Sequence, residues 1–400
     1  MPPPAGKTKR LKQRHPKTLP TVPPADNVSN VGVAFAANIH ALPFELQQVI
    51  LNVFEVAFPI AQDSEELGEV IQAIKGHLFN RDFASAFSQP AYLQVYALRW
   101  SAARALSYSH VLTHPNRAFL LSSTHTMSAT TNDKRTDLQN SKFTDTTTST
   151  SQPPTFTETG TRKVVCLGGG AGAEIVAFAA AQRHVQAQIP LRIISVDSAD
   201  WSDPVMRLSS ALSTAPALSA HASAAAKYRI DNRPLLEDAS KVTISFLHQD
   251  VLTWDLESMK QTMQDTSLCT IMFTLNELFS TSLPKTTSFL LNLTIAMSKG
   301  SHLLVVDSPG SYSEINLGNA VQGRTNTGEQ TTVPTKKYPM KWLLDHTLLE
   351  VAGSGEHASW QKIESEDSLW FRIDQKERAK LKYPVELENM RYQLHLYQRT

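Results

Sequence analysis

Lys163-Val-Val-Cys-Leu-Gly-Gly-Gly-Ala-Gly-Ala-Glu174 is the stretch that decides the fold of this 400-residue chain. A short apolar run, Val164 to Leu167, breaks into Gly168, Gly169, Gly170 and Gly172. Small residues follow, with Ala173, Val176, Ala177 and Ala180. The pattern predicts a buried strand, a glycine turn and the start of a helix packed closely on a sheet. Glycines let backbone approach a ligand, and the free N–H groups of a helix start favour an anion or nucleotide. Two readings fit. As G-x-G-x-x-A the loop is a dinucleotide fingerprint; as Gly168-x-Gly170-x-Gly172 it holds S-adenosylmethionine (SAM). A P-loop is excluded, because no Lys-Ser/Thr pair follows at the required spacing.

Outward from the loop, apolar runs recur at 191–197 (LRIISVD), 242–251 (VTISFLHQDV), 269–279 (CTIMFTLNELF) and 301–311 (SHLLVVDSPGS). Helical runs lie between them, including 204–226 and 284–298. Such alternation predicts a doubly wound parallel sheet. Residues 311–337 read as a polar loop and Met340–Val351 as a helix. Residues 368–373 and 389–399 read as two last strands, the final one able to insert antiparallel. The expected fold class is α/β: a Rossmann-like class I methyltransferase sheet with an N-terminal helical domain.

Ligands of open α/β sheets bind outside the carboxyl ends of the strands, so acids there matter. Asp197, about twenty-five residues past the loop, can accept both ribose hydroxyls. Asp250 can take an adenine amino group while Val251 covers the ring. A dinucleotide enzyme needs Asp197 but has no particular use for Asp250, whereas SAM enzymes use both. The expected SAM-binding set is therefore Gly168, Gly170, Gly172, Asp197, Asp250 and Val251. Cys166 stands where enzymes of this class often carry an acid.

The rest of the chain divides by composition. Residues 1–37 begin as a basic arm, with Lys7, Lys9, Arg10, Lys12, Arg14 and Lys17 among prolines and no acid in the first twenty. Such an arm reads as disordered, either a nuclear or nucleolar address or an RNA-touching tail. Residues 38–121 are expected to form a helical domain, with Leu46, Val49, Ile50, Val53, Phe54 and Ala57 on one face. Pro90 is expected to break the segment that Asp82 caps. A longer helix, Tyr92–Tyr108, sets Arg99 and Arg104 beside Trp100 and Tyr108, a combination suited to a phosphate or a flipped base. Residues 122–160 are Ser/Thr-rich and expected to be disordered; 161–400 form the SAM domain. With 38 basic and 37 acidic residues, no global field argues for or against nucleic acid. Both cysteines, Cys166 and Cys269, fall in predicted buried strands, so neither a disulfide framework nor a Cys-based metal site is expected. No apolar run has membrane-spanning length.

Several segments carry a more particular likeness. VVCLGGGAGAE, ISVDSADW, FLHQDVL, FTLNELF, VVDSPGSYSE and YPVELENMRYQLHLYQR, with YALRWSAARALSY upstream, resemble the fungal large-subunit rRNA uridine-N3 methyltransferases. The resemblance implies a nucleolar enzyme that methylates one uridine, using SAM and no metal. Its implied partner is large-subunit rRNA or a pre-ribosomal particle. Asn276 and Glu277, past the fourth strand, lie where catalytic groups of this fold face the sulfonium. Glu277 is the candidate base or orienter for the N3 proton, and Asn276 a hydrogen-bond partner for a uracil carbonyl. Alternatively the pair caps the helix that follows. Arg99, Arg104, Asp307 and Tyr312 are the candidate substrate contacts. The basic cluster Arg372, Lys376, Arg378, Lys380 and Lys382 is a further candidate for RNA, or equally a solvated face. Two rival readings stay open: a SAM enzyme acting on protein or a small molecule, and a SAM-fold ribosome-assembly factor without catalysis.

Overall fold

Among the described residues there are nine strands, seven of them at the apolar runs: β1 (Arg162–Leu167), β2 (Leu191–Asp197), β3 (Val242–His248), β4 (Thr266–Met272), β5 (His302–Asp307), β6 (Tyr312–Ile315), β7 (Lys336–Pro339), β8 (Trp360–Phe371) and β9 (Met390–Arg399). The computed structural model describes residues 42–60, 64–121, 160–310, 312–315 and 336–400. The basic arm and residues 122–159 lie outside them.

Seven strands form one sheet in the order β3-β2-β1-β4-β5-β9-β8. The first five are parallel, and β9 inserts antiparallel between β5 and β8. Val164, Val165, Cys166 and Leu167 are buried because β1 is central and covered on both faces. Register aligns the carboxyl ends, with Leu167 opposite Val196 and Ile271, and Asp197 opposite His248. The turn loops therefore gather along one edge.

Helices cover both faces. Before the sheet come α1 (Phe44–Ala57), α2 (Ser64–Phe79), α3 (Phe83–Ala86), α4 (Pro90–Tyr96) and α5 (Ala102–Thr113). Within and after it come α6 (Ala173–His184), α7 (Ser202–Leu212), α8 (Ala224–Tyr228), α9 (Leu256–Met263), α10 (Leu275–Thr281), α11 (Leu283–Ala296), α12 (Met340–Asp345) and α13 (Gln375–Arg378). Strand residues alternate between two cores, as a period of two requires. Val164, Cys166 and Ile193 join α1, α5, α6 and α7, while Val165, Leu167 and Ile194 join α9, α10, α11 and α12.

The expected apolar face of α1 is buried throughout. It does not enclose a core of its own, however, because the upstream helices share one continuous core with the sheet. Alanine-rich α5 lies directly on alanine-rich α6, where small side chains permit close approach. The boundary between helical and SAM segments separates stretches of chain, not hydrophobic cores.

Several sequence expectations shift for local reasons. Pro90 opens α4 at its first turn, where its missing N–H has no intrahelical partner to lose. Tyr92–Tyr108 is helical but widens to a π turn at Ala97–Ser101. The run 204–226 is interrupted, α7 ending at Leu212 and α8 starting at Ala224. The stretch 311–337 contains β6 and carries the start of β7, which pair as a hairpin. Met340–Val351 changes from α to π at His346.

In β9, Gln393 and His395 are buried along with their apolar neighbours, because neighbouring strands and two helical layers enclose them. Gln393 Nε2 donates to Ser308 O at 2.7 Å, and His395 bonds the Ser365 hydroxyl and Gln393 Oε1. Burial pushes the imidazole down to about 4, so His395 is neutral at physiological pH. Among the described residues, no helix is long and apolar enough to cross a membrane.

Candidate active site

The glycine loop is built as its composition demands. Gly168 has φ +77° and Gly172, the N-cap of α6, has φ +80°, both in the left-handed region that favours glycine. A Cβ on Gly168 would also collide with Thr274, coming within 2.8 Å of its Cβ. Gly168 N–H donates to Val196 O at 2.8 Å, fastening the loop to β2.

Asp197 sits at the end of β2 and accepts from Gly170 N–H at 3.0 Å and Ala199 N–H at 3.1 Å. Burial pushes its carboxyl upward, and these backbone donors oppose the shift. It therefore organises the loop it shares with the ribose position. Asp250 Oδ1 accepts from Leu252 N–H at 2.9 Å, a turn that places buried Val251 beside it.

These groups open on a cavity of about 820 Å³ at the carboxyl edge of the sheet. Gly168, Asp197, Asp250 and Val251 line one part of it; Phe273, Thr274, Glu277 and Asp307 line another. Its size suits a drug-sized ligand. A second hollow, about 640 Å³, lies near Lys163 and Asp265 at the opposite edge, away from the glycine loop and these acids.

Glu277 faces the cavity from the first turn of α10. Among the described residues, its Oε2 is buried without a hydrogen-bond partner, as is Asn276 Oδ1. Burial pushes the Glu277 carboxyl above its usual range, with Arg81 across the cavity opposing the shift. Neither side chain caps α10. That task falls to Asp307, which accepts from Asn276 N–H at 3.0 Å and Ser308 N–H at 2.7 Å. Asp307 is buried and pushed up to about 6, chiefly by loss of solvent. It also lines the cavity.

The two arginines part company. Arg104 reaches the cavity, whereas Arg99 is buried elsewhere and ion-paired to Glu388, tying the π turn to the C-terminal segment. Tyr312 opens β6, but its side chain lies outside the described residues.

Other residues join the site without having been singled out from sequence. Phe273 takes φ +56° in the turn after β4, an uncommon conformation for an aromatic residue, and its ring faces the cavity. Trp201 packs against Gly170 and is buried. Leu78, Phe79, Arg81 and Phe83, at the corner between α2 and α3, line the same cavity, and Phe79 is 88% exposed. Position right after the glycine loop was the one available sequence signal for Glu174. This residue is 3% exposed and accepts from the Thr270 hydroxyl at 2.7 Å. Built onto Gly169, a Cβ would lie 2.8 Å from both Cys166 Cβ and Glu174 Oε2. A carboxyl thus fills the space beside Cys166, delivered from α6 instead of β1.

Burial pushes Glu174 up to about 8, so it is protonated at neutral pH. An acid whose folded value is raised binds its proton more tightly in the native state. The associated stability is full below about 4.5 and drains away as pH rises to about 8. Glu174→Gln should remove this dependence, which amounts to about 1.4 kcal/mol per pH unit within the window. Thermal melts across that range should show the wild-type midpoint falling towards the variant's or below it; parallel curves would rule out the buried titration.

The parallel sheet with its antiparallel β9, the glycine loop and the acids after β2 and β3 define a class I SAM-dependent methyltransferase. Residues 54–398 match the family described as "Putative SAM-dependent methyltransferase", and the chain belongs to that family. A Saccharomyces cerevisiae protein named 25S rRNA (uridine(2843)-N(3))-methyltransferase is 28% identical over 376 residues, covering 88% of this chain and 85% of its own length. Among solved structures, the antibiotic-resistance methyltransferase Kmr aligns at 16% identity, covering 61% of this chain and 89% of its own, with a TM-score of 0.30. The N-methyltransferase NodS from Bradyrhizobium japonicum aligns at 10% identity, covering 60% and 78%, with a TM-score of 0.27. The residues present fit SAM: Gly168, which admits no Cβ without collision, lines the cavity with Asp197, Asp250 and Val251, while Gly170 and Gly172 do not line it and pack on Trp201 and Leu208.

Proposed function

We propose that this methyltransferase modifies N3 of a uridine in large-subunit rRNA, acting on the RNA or a pre-ribosomal particle in the nucleolus. The observation that carries the chemistry is the Glu277 side chain, which lines the cavity and whose Oε2 is buried and, among the described residues, unpartnered. SAM, when bound, supplies an electrophilic methyl group. Uracil N3 must lose its proton for its lone pair to attack, and a carboxylate with a raised pKa is a stronger base for that proton. Asn276, the neighbour of Glu277 in α10, does not line the cavity, so it is assigned no contact with the uracil.

The acceptor side suits a planar base. Phe79 and Phe83 stand at the cavity with Arg81 between them, an arrangement on which an extruded base can stack. Elsewhere, half-exposed Trp370 carries Arg372 at 4.7 Å and Arg391 at 5.8 Å over its ring, a surface platform of the kind RNA uses. The rRNA substrate itself is supported by the sequence likeness to the yeast enzyme and by the motifs that extend it. The basic residues of the first twenty positions support a nucleolar address.

Nucleoside mass spectrometry of rRNA from cells lacking this protein tests the reading directly. 3-Methyluridine should fall by about one residue per large subunit and return with the wild-type gene. An unchanged profile would leave the methyltransferase with a protein or small-molecule substrate, or with none.

A further inference from the structure

Three arginines penetrate the helical layer, and two of them have obvious counter-ions. Arg99 pairs with Glu388, and Arg117 pairs with Glu364 at 2.5 Å. Arg104 is different. Among the described residues it has no carboxylate within 4.0 Å. Its Nη1 donates to the Tyr96 hydroxyl at 2.6 Å, and the guanidinium lies 5.2 Å from the Phe273 ring centre and 5.7 Å from that of Tyr96. Arg104 is partly buried and lines the cavity, and with only Nη1 bonded to Tyr96 its guanidinium keeps donors for an anion that enters there. Burial opposes its charge, while Tyr96, Tyr108 and, more weakly, Asp307 favour it, and arginine stays protonated in such a place.

The strand order says what arrives there. Asp250 and Val251 follow β3, Asp197 follows β2, Gly168 follows β1 and Phe273 follows β4. Since the sheet runs β3-β2-β1-β4-β5, adenine and ribose placed by the first two leave the other end of SAM over β1 and β4. That end carries an α-carboxylate. Arg104 lines the same cavity and stacks on Phe273, the residue held at φ +56° just past β4.

We infer that Arg104 binds the methionine carboxylate of SAM, so that the N-terminal helical layer completes the cofactor site. The planar guanidinium, braced by Tyr96 and Phe273, matches a carboxylate in fork geometry. The assignment is independent of which acceptor is methylated, and it moves Arg104 from the RNA to the cofactor.

Isothermal titration of the full chain with S-adenosylhomocysteine and with its decarboxylated analogue tests it. Wild-type protein should prefer the carboxylated ligand by about 10- to 100-fold, the range of a hydrogen-bonded charge pair. Arg104→Met should erase most of that preference while the analogue binds as before, and Arg104→Lys should keep an intermediate share. Absence of the preference in wild-type protein overturns the assignment whatever the variants do. So does Arg104→Met retaining the full preference, including the case in which it weakens only RNA binding.

Discussion

Glu277→Gln should lower the methyl-transfer rate by ~10²- to 10⁴-fold while SAM affinity stays within about twofold. The substitution keeps shape and polarity but removes the basic carboxylate that Glu277 supplies among the cavity-lining residues. Because burial raises the Glu277 pKa, wild-type activity should fall as pH drops through that raised value, above the ordinary 4.5, as the base becomes protonated. The residual rate of the variant should lack this acidic limb. Single-turnover assays on an rRNA fragment, paired with titration of SAM, separate chemistry from cofactor binding. A variant that turns over like wild type removes Glu277 from proton transfer and leaves positioning as the whole of its role.

Gly168→Ala should have the largest effect on the cofactor. The new methyl group meets Thr274 at less than contact distance, and the backbone is held at φ +77°. Left-handed backbone costs a non-glycine residue about 1–2 kcal/mol, and overpacking adds about 1–3 kcal/mol. Relaxation must move the turn that carries Thr274 and the start of α10, which bears Glu277. SAM binding should weaken by at least about 100-fold, with a lower melting temperature. Gly76→Ala in α2 is the control: its Cβ meets open space, and the helical position should gain about 0.4–1 kcal/mol. Equal SAM affinity in both variants would show that the loop tolerates the displacement.

Much of the cofactor half was legible from local pattern. Gly168, Asp197, Asp250 and Val251 lie at or just past strand ends and line one cavity, and apolar runs locate strand ends in the linear sequence. In a parallel sheet those ends meet along one edge, so spacing along the chain becomes neighbourhood in space. The final strands were readable for the same reason. By contrast, Glu174 and Arg104 have roles set by partners far away in sequence. Glu174 meets Thr270 of β4, and Arg104 stacks on Phe273 after β4. No periodicity announces such a meeting.

Arg99 and Arg104 show the division most clearly. Both are arginines beside aromatic residues in one amphipathic helix, and residue type alone makes them equivalent candidates. The π turn and the packing of α5 on α6 send one to Glu388 and the other into the cavity. The sequence by itself determined a glycine-loop α/β sheet, its acidic strand ends and the SAM class, because those depend on short-range patterns of burial and backbone freedom. Tertiary structure alone decided that the upstream helices share the sheet's core, that Asp307 caps α10 and frees Glu277, and that Arg104 faces the cofactor cavity. Those outcomes depend on which charges and hydrogen-bonding groups end up without solvent, and only the packed chain sets their surroundings.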